Sequence, residues 1–206
     1  MKILKKLLIL LLILLLLLGT FIFLIGFGYY SKTLNEKSLT SRVEEVTSKE
    51  HFVSFEQLPK NYINAVIAVE DHRYYEHGPV DFITQQVAKN IIFNQDKTLI
   101  RKIGEIFGAY DLEKNYSKDE ILALYVNSNY FGDGYYGIYA ASMGYYKKEP
   151  KDLTLEEASM LAGIPNAPSV YSPSINPNLA KKRQSHVLNA MVQYGYITEE
   201  EANSIK

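Results

Sequence analysis

The chain has 206 residues, 47% of them hydrophobic and 22% charged, with a formal net charge of −1 and no cysteine. A charge this close to zero argues against a nucleic-acid partner, which would call for a strongly basic face. The lack of cysteine excludes disulfide staples, so a hydrophobic core must hold the molecule together.

The chain opens with Lys2, Lys5 and Lys6, followed by a run from Leu7 to Tyr30 without a charged side chain. That run exceeds the roughly 20 residues a helix needs to cross a bilayer. A cleaved signal peptide would carry a shorter apolar stretch, about 7–15 residues, closed by small residues. Gly19-Thr20 is a poor cleavage site, and Phe21-Ile22-Phe23-Leu24-Ile25 continues the apolar run beyond it. The reading is a retained, single-pass anchor. Lysines precede it, whereas Lys32, Glu36 and Lys37 after it are mixed in sign, so the positive-inside rule puts the N-terminus in the cytoplasm and residues 31–206 outside.

Residues 1–30 are thus a cytoplasmic tip and anchor, and 31–50, rich in Ser, Thr and Glu, read as a linker. A small strand or hairpin is expected around His51-Phe52-Val53-Ser54-Phe55. The rest, 51–206, has the length of one domain with a real core, and it reads as mainly helical. Apolar spacing predicts helices over 60–69, 84–93, 99–114 and 178–194, the last closed by Gly195. Three capping boxes, Ser117 with Glu120, Thr154 with Glu157 and Thr198 with Glu201, predict helices over 118–127, 155–162 and 199–205. Between them, residues 130–138 place three glycines among aromatics, which suggests a tight turn with close backbone approach. Residues 163–173 are too proline-rich for an element and are expected to wrap over the surface, as loops lining a cleft often do.

The chemistry concentrates in three places. Residues 68–78 read AVEDHRYYEHG, in which Glu70 and Asp71 end a core-like apolar stretch. A half-buried carboxylate there is a candidate general base, since burial favours the protonated form. In ITQQVAKN, the spacing of Gln85, Gln86 and Lys89 puts two amides and an ammonium on one helix face. In RKIGE, Arg101 and Glu105 sit one turn apart, and with Lys97 just before them they make a basic patch around a single acid, suited to a phosphate or pyrophosphate. Each feature also has a plain structural reading. Glu70 and Asp71 could be surface acids, and Arg101 with Glu105 a solvated i,i+4 pair of about 0.2–0.5 kcal/mol. His72 and His77 lack the i,i+4 spacing of a helical zinc pair, so no metal site is expected. The 17 tyrosines suit packing near a membrane better than nucleobase stacking.

Taken in order, these motifs resemble those of the family 51 glycosyltransferases, the peptidoglycan polymerases that elongate glycan strands from lipid II. AVEDHRYYEHG is similar to the family's first motif, ITQQVAKN to the second half of its second, and RKIGE to its third. YSKDEILALYVN with YFGDGYYGIYAAS resembles the fourth, and LTLEEASMLAGIPNAPSVYSP the fifth; the resemblance covers nearly all of 50–206. No transpeptidase segment follows, so the chain resembles the monofunctional, membrane-anchored members. The resemblance implies a lysozyme-like fold of two helical lobes flanking a groove, with one lobe partly embedded in the bacterial cell membrane. It implies Glu70 as the base that takes the proton of the acceptor 4-hydroxyl. Glu105 is implied as a second catalytic acid on the pyrophosphate side, acting directly or through a divalent cation such as magnesium or manganese, with no tightly bound cofactor. Lys89, Lys97 and Arg101 match pyrophosphate-holding positions, and Asp71, His77, Gln85 and Gln86 match further substrate-binding ones. The implied partners are lipid II, the nascent glycan strand, the membrane and proteins of the cell-wall machinery.

One departure stands out. In the family a connecting segment ending in Gly-Gly-Ser-Thr precedes the Ile-Thr-Gln-Gln run, whereas here Gly78-Pro79-Val80-Asp81-Phe82 joins it directly. Its loss is expected to shorten the link between Glu70 and the Gln85–Lys89 helix. Three readings therefore stand: an active polymerase, an impaired homologue that binds lipid II or glycan in a cell-wall complex, and a lytic glycosidase using two carboxylates across a groove. The anchor and the basic patch make the glycosidase the weakest of the three.

Overall fold

A computed structural model describes residues 2–76, 78, 81–93 and 98–205. The apolar run forms α1 (Lys2–Glu36), the one helix among the described residues long and apolar enough to cross a membrane. It outlasts the expected span, because residues 31–36 continue the helix. Leu7 to Leu18 are exposed, as lipid-facing side chains would be, while the last turns pack on α5 (Leu99–Asn115). Phe23 and Phe27 meet Phe107 edge-on at 4.9 and 5.3 Å, Tyr29 stacks on Phe93, and the Tyr30 hydroxyl donates to Asp111 Oδ2 at 2.6 Å. Gly26 permits this approach: a Cβ there would collide with the Ile103 side chain.

The segment expected as a linker contains α2 (Leu39–Thr47), capped by Ser38, whose side chain accepts from the Ser41 N–H. Leu39, Val43 and Val46 fall on one face at helical spacing and are buried in the core. The strand expected around His51–Phe55 is absent; a 3-10 turn, Phe55–Gln57, comes after an extended stretch. The side chain of Asn127 serves that stretch as a neighbouring strand would, accepting from the Val53 N–H at 3.0 Å and donating to the Val53 carbonyl at 2.8 Å. Backbone groups satisfied by a side chain need no second strand.

The remaining helices are α3 (Lys60–Glu70), α4 (Phe82–Ile91), α6 (Lys118–Ser128), α7 (Ile138–Tyr146), α8 (Leu155–Gly163), α9 (Pro168–Tyr171), α10 (Pro177–Gln193) and α11 (Glu199–Asn203). Capping boxes start α6, α8 and α11 where expected. The proline-rich segment 163–173 departs from expectation by forming a 3-10 turn, Ile164–Asn166, and the short α9. Prolines at their first or second positions explain this, since the missing N–H is not needed there.

Two packed groups result. α3 packs against α8 and α10; α4 packs against α5, to which the anchor adds itself. Between them runs α6, buried continuously from Ile121 to Asn127 and touching α4. The fold is mainly α, with an isolated bridge between Tyr130 and Tyr136 but no strand among the described residues. Gly132, Gly134 and Gly137 there all take φ near +81°, a region glycine enters freely. At Gly137 a Cβ would lie 3.0 Å from the Asn127 carbonyl, so the expected close backbone approach is present.

Candidate active site

Glu70 is the last residue of α3. The helix stops because Asp71 is extended (φ −159°, ψ 92°), and Asp71 then organises the turn that leads to α4. Its Oδ1 accepts from the Arg73 N–H at 3.2 Å and its Oδ2 from the Phe82 N–H at 3.4 Å. Asp71 thus draws the start of α4 against the end of α3. It is buried, and its hydrogen bonds to the Arg73 and Phe82 N–H groups order the turn.

The start of α4 carries the shortened junction. Asp81 caps the helix, with Oδ1 accepting from the Thr84 N–H at 2.7 Å and Oδ2 from the Thr84 hydroxyl at 2.8 Å. Asp is among the side chains best suited to this capping place. Lys118, from the start of α6, pairs with both Asp81 and Glu113 and lies 4.5 Å over the Tyr74 ring. Burial works against the charge on Asp81, but its hydrogen bonds with Glu113, Lys118 and Thr84 outweigh it and hold the carboxyl below its ordinary value. Burial, then the neighbouring Asp81, pushes Glu113 up. Tyr74 donates to the Lys118 carbonyl and Tyr75 to Asp119 Oδ1, each at 2.7 Å. Tyr74, Tyr75 and Asp81 are thus tied to the start of α6, and α4 forms over Phe82–Ile91.

Glu70 is half-buried, and its Oε2 accepts from Gln86 Nε2 at 2.7 Å. Its Oε1 is enclosed and makes no hydrogen bond among the described residues, so its lone pairs are uncommitted. The hydroxyls of Tyr62 and Tyr125 are buried close by; burial first, then the charge of Glu70, keeps both phenols firmly protonated.

Glu105, on α5, has the opposite environment. Only 2% exposed, it pairs through Oε1 with Arg101 and through Oε2 with Lys102 at 3.0 Å. A solvated i,i+4 pair this is not. Lys102 also donates to Gln85 Oε1 at 3.1 Å, linking α5 to α4. Lys89 lies below its ordinary lysine value because burial and the charge of Arg101 both disfavour its proton, partly offset by Glu70. Lys102 is lowered likewise by burial, then by Arg101 and Lys89. Two cations thus clamp one buried carboxylate, and Lys89 lies close enough to feel Arg101 and Glu70, so positive charge gathers at an opening.

That opening is a cavity of about 280 Å³ whose wall includes Glu70, Gln85, Gln86, Lys89 and Glu105 together with Phe82, Lys102, Pro165 and Asn166. Five of the nine expected site residues therefore share one cavity, and Arg101 adjoins it through Glu105. His77 and Lys97 lie outside the described residues. A larger cavity of about 700 Å³ adjoins it, sharing Gln86, Lys89, Pro165 and Asn166. Lys102, Phe82 and the Pro165–Asn166 turn escaped the sequence reading as site residues. Lys102 was legible three positions before Glu105 on the same helix, but the turn reaches the site only through tertiary packing. The donor set around Glu105 does not suit a divalent cation. Each of its oxygens already faces a fixed positive charge, and among the described residues no three His, Cys, Asp or Glu side chains gather.

A family model described as Transglycosylase matches residues 35–84 and 82–192, two pieces that meet at the shortened junction. Penicillin-binding protein 1F of Bacillus subtilis is 45% identical over 172 residues, covering 73% of this chain and 24% of that protein. Penicillin-binding protein 1A of Neisseria flavescens is 41% identical over 172 residues, covering 73% and 22%. The crystal structure of penicillin-binding protein 1A from Haemophilus influenzae superposes with a TM-score of 0.51 at 26% identity, over 75% of this chain and 17% of that one. The chain belongs to the transglycosylase family, the family 51 glycosyltransferases whose motifs it carries. It spans about a quarter of the length of these curated relatives. Since 73% of 206 residues is about 150, roughly twenty of the 172 aligned positions have no residue in this chain, in keeping with a segment missing at the junction.

Proposed function

We propose that this protein is a peptidoglycan glycosyltransferase that polymerises lipid II by inverting transfer at the outer face of the bacterial cell membrane. In this reading α1 is the anchor, with the N-terminus in the cytoplasm and the helical domain outside. The 4-hydroxyl oxygen of the acceptor sugar attacks the anomeric carbon of the growing strand. The hydroxyl proton passes to Glu70, and the bond to the undecaprenyl pyrophosphate breaks, its electron pair leaving with the pyrophosphate. Gln86 holds Glu70 in place through Oε2. Lys89, Arg101 and Lys102 meet the charge that builds on the leaving group, the form of electrostatic stabilisation that acts most strongly in a closed site. Glu105 fixes Arg101 and Lys102 in position and keeps the patch from repelling itself apart.

The observation that carries this reading is the sharing of one cavity by Glu70 and Glu105, from separate helices, with the lysines on its wall. A second reading is supported by the shortened junction: an impaired homologue that binds lipid II or glycan within a cell-wall complex. The intact cap and network at Asp81 favour the active form. A lytic glycosidase would not need two cations clamped on its second acid. Incubating the full-length protein in vesicles with labelled lipid II and resolving the products separates the readings. Polymer is expected. Bound but unconverted lipid II would support the impaired homologue, and soluble fragments released from finished wall in a parallel incubation would support the glycosidase.

A further inference from the structure

The larger cavity beside the acid pair does not end the groove. Lys49, Asn127 and Tyr136, which line it, also line a pocket of about 220 Å³. Beyond that pocket lies another, of about 280 Å³, and the two share Glu50, His51, Phe52 and Tyr139. His51 and Tyr139 form the ridge between them, with ring centroids 4.1 Å apart and planes 14° from parallel. A second aromatic pair, Tyr130 with Tyr136 at 4.7 Å, lines the larger cavity. The ridge is firmly held: the Gly137 N–H donates to the Asn129 carbonyl at 2.8 Å, and Gly137 seats the chain directly against Asn127.

Both distal pockets are smaller than the roughly 300–1,000 Å³ of a site for a whole small molecule. Each therefore suits one unit of a repeating polymer. Their walls pair flat rings, which offer apolar faces with polar tips, with exposed charged side chains, Lys49 and Glu50 in one and Glu50 and Lys151 in the other. A sugar ring presents the matching features, an apolar face rimmed by hydroxyls and N-acetyl groups. We propose that these pockets extend the catalytic groove into a track for the hexosamine polymer, with the His51–Tyr139 stack as a distal platform for one sugar ring. The proposal rests on the polymerase reading for the direction of travel, while the platform itself is testable as a binding site.

The test uses full-length protein in detergent and soluble, peptide-free peptidoglycan glycan oligomers of two to eight sugars, with affinity measured against length. Affinity is expected to tighten by about tenfold as the oligomer grows long enough to reach the platform, in line with one aromatic stacking contact. Tyr139→Ala abolishes that gain, and Tyr139→Phe, which keeps the ring, retains it. Should Tyr139→Ala fail to fold, His51→Ala, at an exposed position, carries the same expectation. Affinity independent of length in the wild type, or a gain that survives both alanine variants, overturns the proposal. If lipid II is not consumed but the length-dependent gain is seen and lost as described, the platform stands and the polymerase reading falls.

Discussion

The end of α3 and the second turn of α5 each deliver a glutamate to one cavity, and they prepare it in opposite ways. Glu70 has a neutral amide on one oxygen and nothing on the other among the described residues; Glu105 has a cation on each. A carboxylate with uncommitted lone pairs can accept a proton, whereas one clamped between Arg101 and Lys102 serves better to hold those cations in place. Two glutamates thus meet different surroundings, and different surroundings are how enzymes divide acid and base work between two carboxylates.

The contrast can be broken by substitution. Glu70→Gln is expected to lower lipid II polymerisation by about 10²–10⁴-fold, the usual weight of a general base, measured as polymer formed in vesicles. Removing a cation from the opposite wall with Lys89→Met is expected to cost about 10²–10³-fold in turnover, on the scale of losing one donor from a charge-stabilising site. Glu105→Gln should differ in kind, because it takes a charged partner away from the part-buried Arg101. Loss of one member of a buried pair costs about 3–5 kcal/mol, and the exposure of Lys102 puts the expected effect at the lower end. A fall in melting temperature much larger than that of Glu70→Gln is the check.

Two smaller effects sharpen the same comparison. Lys89 and Lys102 both lie below the ordinary lysine value of 10.5. A bound pyrophosphate favours their protonated forms, so its affinity should fall as pH rises, beginning below 10.5, with proton uptake on binding visible by calorimetry in buffers of different ionisation enthalpy. At the interface of anchor and α5, Gly26→Ala forces the new methyl into Ile103. Overpacking of this sort costs about 1–3 kcal/mol, read as a lower melting temperature in micelles.

Much of this was legible in the residues alone. Hydroxyl and glutamate three apart marked the starts of α6, α8 and α11, because a capping box is a local interaction that needs no tertiary partner. Glu70, Gln85, Gln86, Lys89, Arg101 and Glu105 were legible as chemistry from their types and spacing. What escaped depends on distant contacts. The Ser- and Glu-rich composition of residues 31–50 masked the buried stripe of Leu39, Val43 and Val46, and the apparent strand at 51–55 is satisfied by Asn127, 74 positions from Val53. Asp71 reads as a catalytic neighbour in sequence and is in space the clasp between α3 and α4. The missing connecting segment suggested a shortened link, but no inspection of the junction alone would reveal that Lys118 pairs with Asp81 and Glu113.

The central claim is that Glu70 takes a proton in a cavity whose far wall receives the leaving group. The most direct test measures binding and single-turnover consumption of labelled lipid II by the same preparations of full-length wild-type protein and Glu70→Gln. The account predicts that the variant still binds lipid II yet consumes none on the time scale of the wild type. Consumption by the variant at the wild-type rate would contradict it.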